Sequence, residues 1–577
     1  MATAARTFGL RETLLTPDAL PPPPVRHALF AFLVTLAAIL HLCTAGWSEI
    51  HNGVEGEYAG GARQMFNSDS SHIVPIRNGV ISPEEPPLLY WALVASYKIF
   101  GVTVVAARVP IALATIALVA LTFVIGERLS GYWRAFMAGL IQLCLCGGFL
   151  WGRMVTPVPL FAALVAGAIL CLVSGYHDRR KRRWWFAGFW ACTAFAYLAE
   201  GAEAVVFLGA IILLLALLFR EARMRFPALG HWPGLLIFIA IVLPWHVWLQ
   251  MRFPGSLDVI LGSGWIFPFV SHLDFAAAEH VGIARFLLGH LLWWFPALPL
   301  VLPGLLFAWR RVIRPREIEF SDAVPLCWMA VGFIPLLFLP QRQHFESLPM
   351  WSAFSLWAAC AWDRTSYRLR IAGIAAAAAV CATSNFALKS AKARSALFGS
   401  PFADATFGSA LTIASTTAAI AAFAGAAYLL WRKQETLATA LLFFGTIPVG
   451  LSAAEADARL GPRVSFGTVA QFLRGRLGDT GELIYEGSRR SGSSLNFYLR
   501  PPYFVVSEAI DTPPSLSSAA NRLTEMQALD KFGAPHPVYL IIHKYRVPVW
   551  QERLTARYHI YHQVSTSGSY VVVNNQP

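Results

Sequence analysis

Apolar runs of about 17–25 residues, the length a bilayer helix needs, recur along the chain and are separated by short polar or basic stretches. The first extends from about His27 to Trp47. Twelve more lie near 104–126, 134–151, 158–176, 184–200, 203–219, 232–250, 286–309, 323–340, 347–363, 370–387, 407–431 and 436–454. The pattern predicts an all-α polytopic membrane protein with about 13 transmembrane helices. Only the stretch from Glu200 to Glu203 separates the fifth span from the sixth, so these two are the hardest to count. Arg6, Arg11, Arg26 and the Pro21–Pro24 run precede the first span, which is too long for the apolar core of a signal peptide. It reads as an uncleaved membrane helix.

Beyond about residue 455 the pattern changes. GELIYEG (481–487), FVVSEAI (504–510), VYLIIH (538–543) and SYVVVNN (569–575) read as strands, and LTEMQALDKFG (523–533) as a helix stopped by Gly533. The expected organisation is an N-terminal segment 1–26, a transmembrane domain 27–455 with long loops 48–102 and 251–285, and a small α/β domain 456–577. Within the first long loop, Glu55 to Phe66 is helix-like, and Pro86 to Phe100 suits a short helix lying at the interface. No Gly-rich phosphate loop precedes a helix in the tail, so no nucleotide site is expected there.

Composition agrees: 56% of residues are hydrophobic and 14% charged, against about 25% charged in globular domains. The net charge of +13 falls between the spans, with no basic, aromatic-interleaved stripe in the tail, so no nucleic-acid partner is expected. One set of alternate loops holds Arg128 and Arg134, Arg179 to Arg183, Arg220, Arg223 and Arg225, Arg310 to Arg316, Arg364 to Arg370, and Arg432 with Lys433. The opposite loops are poor in base. By the positive-inside rule the first set and the N-terminus are cytoplasmic, and the tail and both long loops lie outside. The expected location is a bacterial inner membrane with a periplasmic C-terminal domain. All eight cysteines lie in or beside apolar spans; Cys144 and Cys146 are packing residues and form neither a disulfide framework nor a metal site.

Chemistry concentrates in the first outer loop. Glu55 and Glu57 open a probable helix, where acids complement the helix dipole. Glu84 and Glu85 precede a Pro-Pro pair on a loop. Four carboxylates in one loop can be acid, base or metal ligands, or simply solvated charges, and spacing alone favours the second.

The residues themselves resemble a family. Trp47, Glu55-Gly56-x-Tyr58-Ala59-x-x-Ala62-Arg63-x-Met65, Ile73-Val74-Pro75, Asn78-Gly79 and PPLLYW (86–91) are similar to the first outer loop of bacterial GT-C glycosyltransferases that use polyprenyl-phosphate sugars. That group includes lipid A aminoarabinose transferases and relatives of protein O-mannosyltransferases. The likeness continues through LPWHVWLQMRFPG (243–255), LLGHLLWWFPALPLVLPGLLF (287–307), RQHFESLPMWSAFSLWAA (342–359) and SSLNFYLRPPYFVV (493–506).

The resemblance implies a GT-C transmembrane domain, with a polyprenyl-phosphate-linked sugar donor entering from the membrane lipid and an envelope acceptor meeting it outside. It implies catalytic roles for Glu55 and Glu57, and a metal-binding or site-shaping role for Glu84, with Glu85 beside it. It offers Arg63, Arg77, Arg153, Arg252, Arg342 and His344 for the donor phosphate, Arg342 being best placed by the match. The chain also departs from the family. Val54 stands where an Asp is common, Glu85 and Glu200 where lysines are common, and Val158 where an acid is common. Acids in place of cations repel a phosphate unless a divalent metal ion compensates. Either the donor site is rebuilt, around such an ion, or the chain is a non-catalytic homologue that binds lipid-linked sugar or an assembly partner. No other cofactor is implied. A transporter is disfavoured, because no internal repeat occurs and the acids lie in loops.

Overall fold

The computed structural model describes residues 22–68, 73–82, 85–262, 281–314, 318–339, 342–390, 392, 410–478, 480–500, 502–506 and 521–576. A helix or helix pair stands at each predicted span. Among the described residues seven helices are long and apolar enough to cross a bilayer, and nine if each of two bent pairs is one span. The expected thirteen is not reached on this measure, for local reasons. Tyr132–Cys144 has 13 residues, a rise of about 20 Å, before the Cys146–Phe149 turn interrupts it. Ile283–Trp293 and Ala297–Ile313 meet at 114°, with Pro296 between them. Arg182–Glu200 begins on two arginines.

The helices Val104–Ser130, Pro157–His177 and Arg182–Glu200 pack side by side, and Trp351–Arg364 is buried against Val104–Ser130, Tyr132–Cys144, Ala297–Ile313 and Phe320–Phe338. Trp328, Trp351, Phe149 and Phe161 are fully buried there.

In the first long loop a helix covers Val54–Asn67 and a second Leu88–Phe100, close to the expected stretches. Between them β1 (Ile76–Arg77) and β2 (Val80–Ile81) form a small antiparallel hairpin.

The tail carries a mixed six-stranded sheet. Its strands are β3 (Glu482–Glu486), β4 (Phe504–Val506), β5 (Arg522–Leu523), β6 (Val538–His543), β7 (His562–Ser567) and β8 (Tyr570–Asn574), in the order β5-β4-β3-β6-β8-β7. The first four in that order pair in parallel, and β8 runs antiparallel to β6 and β7. One face is covered by Glu525–Phe532 and Val547–Tyr558 through Phe532, Trp550 and Leu554. Thr524 and Gln527 cap the first of these helices reciprocally. The other face packs on Phe466, Leu473 and Leu495, and so towards the first outer loop.

That contact is a continuous seam. Ser493 Oγ accepts from Gly53 N and donates to Gly53 O, each at 2.9 Å. Ser494 Oγ donates to Asn52 Oδ1 at 2.6 Å, Ile50 N donates to Tyr498 Oη at 2.8 Å, and Gln64 Nε2 donates to Asn496 Oδ1 at 2.9 Å. Gly56 and Gly60 let the backbones approach: a Cβ on Gly56 would lie 2.5 Å from Ser494 N, and one on Gly60 2.7 Å from Asn496 Cβ. The helix Val54–Asn67 is therefore held between the membrane helices and the sheet.

Candidate functional site

The residue on which the resemblance leans hardest is almost wholly enclosed. Glu55 is 1% exposed and Arg108, on Val104–Ser130, 3%. Arg108 Nε and Nη2 both donate to Glu55 Oε1, at 3.2 and 3.0 Å. The remaining capacity of both groups is filled by backbone. Arg108 donates to the carbonyls of Ala45, Ser48 and Glu49 at 3.1, 2.7 and 2.9 Å. Glu55 accepts from His51 N at 2.8 Å and Val155 N at 3.1 Å. Burial would raise the Glu55 carboxyl, but the Arg108 guanidinium, His51 and the two N–H groups outweigh it and hold the group below the usual carboxylate range. A carboxylate with every lone pair occupied and its charge matched is a poor base. It is a strong joint, tying the loop helix to the first turns of a membrane helix.

Glu57 lies one residue past Gly56 on the same helix and is half-buried. It faces the tail: its charge adds to the burial that raises Tyr503 above the ordinary phenol range. Arg153 is buried near Glu55 and donates to Thr44 O. Arg63 donates to Phe497 O across the seam.

Arg342 and His344 stand elsewhere. Arg342 closes the end of Phe320–Phe338, donating to Leu336 O at 2.8 Å and Leu339 O at 2.7 Å, and to Leu337 O and Val281 O. Leu336, Leu337 and Leu339 carry carbonyls that a helix C-terminus leaves unsatisfied, and Val281 O lies just before the helix Ile283–Trp293. His344 stacks on Phe286 with ring centroids 5.5 Å apart. Burial, with His290 and Arg285, pushes it down to about 4, so it is neutral at neutral pH and brings no charge to a phosphate. Arg252 ends the helix Trp232–Arg252 and is exposed. Arg77 pairs with Val80 in the small hairpin, and Glu84 lies outside the described residues.

The two acids that replace family lysines come together. Glu203, Glu346 and Glu85 all lie within electrostatic reach of Glu200. Glu346 opens the turn Phe345–Met350 and accepts from Gln343 N at 2.9 Å. Burial, only partly opposed by that N–H and added to by Glu203, pushes it up to about 8. Its proton is therefore retained at neutral pH. A carboxyl whose folded pKa exceeds its unfolded value costs stability as pH rises from the unfolded to the folded value. Thermal unfolding followed by intrinsic fluorescence should thus fall in midpoint from pH 5 to pH 8, by up to about 1.4 kcal/mol per pH unit for this one carboxyl. Glu346→Gln should flatten the slope; an unchanged slope would mean that Glu346 ionises freely.

Among the described residues no three His, Cys, Asp or Glu side chains stand where they could hold a metal ion. The described part of the acidic group does not fit one.

Arg108 is absent from the residues singled out by sequence, although a signal existed: it is the only charge in the apolar run 104–126. An arginine inside such a run is expected to be paired. Ser493, Ser494 and Asn496 carry no such signal.

The comparisons with known proteins agree with this architecture. A family model described as dolichyl-phosphate-mannose-protein mannosyltransferase matches residues 84–248, the stretch holding Glu85, Arg108, Arg153 and Glu200. An uncharacterized protein of Aquifex aeolicus (strain VF5) is 24% identical over 239 residues, 41% of this chain, and the match spans 43% of that relative. The crystal structure of ArnT from Cupriavidus metallidurans bound to undecaprenyl phosphate superposes with a TM-score of 0.78 at 19% identity, over 94% of this chain and 97% of that one. The oligosaccharyltransferase of Archaeoglobus fulgidus tethered to an acceptor peptide superposes with a TM-score of 0.50 at 12% identity, over 95% and 74% of the two chains. The chain is a multi-pass membrane protein, and its fold, from the first helix to the tail sheet, is the GT-C glycosyltransferase fold of ArnT.

Proposed function

We propose that the chain moves a sugar from a polyprenyl-phosphate carrier to an envelope acceptor at the outer face of a bacterial inner membrane. On this reading residues 1–26 are cytoplasmic, 27–455 form the transmembrane domain, and 456–577 are periplasmic. The observation that carries it is the ArnT fold over nearly the whole chain, one solved form of which holds undecaprenyl phosphate, together with the mannosyltransferase match over 84–248.

Transfer to a hydroxyl acceptor needs a group that accepts the hydroxyl proton as the sugar carbon–phosphate oxygen bond breaks. Glu57 is the first-loop acid for that task. Glu55 positions it, because the Arg108 joint fixes the helix that carries both. Glu346, which retains its proton at neutral pH, supplies a second carboxyl able to exchange one. Of the residues matched for the donor phosphate, Arg77, Arg153 and Arg342 remain; Arg63 stands at the seam with the tail and His344 is neutral. Arg153 is the one of these beside the Glu55 joint.

The test is release of polyprenyl phosphate from a radiolabelled polyprenyl-phosphate sugar by the purified full chain. Glu57→Gln should reduce release at least tenfold while leaving thermal unfolding unchanged. Normal release from that variant would remove Glu57 from the reaction.

One observation favours a second reading. Glu85 and Glu200 stand where the family has lysines, so two cations that would hold a donor phosphate are missing. Binding of the labelled lipid by the wild type with no turnover against any acceptor would make the chain a non-catalytic homologue that binds lipid-linked sugar or an assembly partner.

A further inference from the structure

A cavity of about 1,090 Å³ opens on the seam between the first outer loop and the tail, away from the Glu55 joint. Three arginines from three segments line it: Arg63 from Val54–Asn67, Arg474 just past Gly467–Leu473, and Arg500 after Ser494–Tyr498. Among the described residues none of the three meets a carboxylate. Arg63 and Arg474 donate to the carbonyls of Phe497 and Tyr498, which orient them without neutralising them. Burial, and then the charges of Arg474 and Arg500, bring Arg63 down to about 10, as expected where like charges converge uncompensated.

Phe66, Val102 and Val104 add an apolar wall to the lining. Val104 is the first residue of the membrane-crossing helix Val104–Ser130, so this wall stands at the level of lipid headgroups. Just before it Ile99 and Phe100, at the end of the short interfacial helix, are 73% and 55% exposed. Converging cations together with lipid-level apolar surface match an amphiphile with an anionic head.

We infer that this cavity binds a phosphate-bearing anion, with the guanidinium groups of Arg63, Arg474 and Arg500 around the phosphate and the apolar wall against the rest of a lipid. Arginine suits this because its planar fork can donate two parallel hydrogen bonds to phosphate oxygens. The site would join the first loop to the tail sheet through a lipid, and it does not depend on sugar transfer.

The test uses delipidated full chain in zwitterionic detergent, with native mass spectrometry counting retained phosphatidylglycerol or phosphatidylethanolamine. Wild type should retain the anionic lipid at least tenfold more strongly. Arg474→Gln with Arg500→Gln should abolish the preference, and the lysine pair should restore part of it. Arg476→Gln, on a neighbouring exposed arginine outside the cavity, should leave it unchanged. Titration with inorganic phosphate separates the sources. Competition by phosphate at micromolar concentration would assign the site to a free anion with the same chemistry, and no competition assigns it to a lipid. Equal retention of both lipids together with no phosphate binding, or retention unaffected by the Arg474 and Arg500 variants, would overturn the inference. Because only binding is read, failure of the proposed transfer reaction would leave this result interpretable.

Discussion

Arg108→Ala should destabilise the protein by about 3–5 kcal/mol, the cost of removing one partner from a buried ion pair. Three backbone carbonyls, of Ala45, Ser48 and Glu49, lose their donor at the same time, and Glu55 is left charged in a site that excludes water. Glu55→Ala should cost nearly as much. The double substitution should cost no more than Arg108→Ala alone, because the two act through one joint. The pair also has a pH signature. The Glu55 carboxyl is held below its unfolded value, so its stabilisation is complete above about pH 4.5 and is lost as pH falls through the folded value. Denaturation in mild detergent, followed by tryptophan fluorescence, measures all three variants. A loss below about 1 kcal/mol for either single substitution, or additive losses in the double, would mean that the joint does not hold the loop helix.

Gly56→Ala should separate the tail from the first loop at a cost near the upper end for overpacking, about 3 kcal/mol. The added Cβ would meet Ser493 Oγ and Ser494 N, both at 2.5 Å. Neither moves aside freely: the Ser493 hydroxyl makes both hydrogen bonds to Gly53, so rotating it breaks them, and the Ser494 nitrogen is backbone. Limited proteolysis should then cleave the tail away from the membrane domain, which wild type resists. Gly53→Ala tests whether crowding is the cause. That position has open space but a φ of 86°, so it should strain the backbone without a clash. Similar release from both variants would point to backbone strain and away from crowding.

The membrane helices were legible because each carries its own signal, a long apolar run, and a helix stands at every one. What the sequence could not give was how many cross by themselves. That number turns on breaks such as the bend at Pro296 and the turn at Cys146–Phe149, which interrupt runs that read as continuous. In the tail, Glu482–Glu486 and Val538–His543 were visible as short apolar runs, whereas His562–Ser567 is an edge strand of mostly polar residues with no apolar alternation. The first-loop acids were visible as types but not in their duties. Spacing does not reveal that Glu55 is satisfied by Arg108, 53 residues away, or that Glu85 and Glu346 lie within reach of Glu200. Partners brought together by folding leave no local trace.

The seam has a consequence for how the protein is made. Its bonds join residues far apart in the chain, 434 positions for Arg63 with Phe497 and 440 for Gly53 with Ser493. At roughly 5–20 residues per second, synthesis needs about 20–90 s between one side of the seam and the other. Throughout that time the glycine face of Val54–Asn67 and the amide of Gly53 have no tail to receive them. Closing so large a loop is a slow, late event. A newly inserted chain therefore passes through a stage in which its membrane helices are in place and its first loop is open, until residues made 434 and 440 positions later complete it.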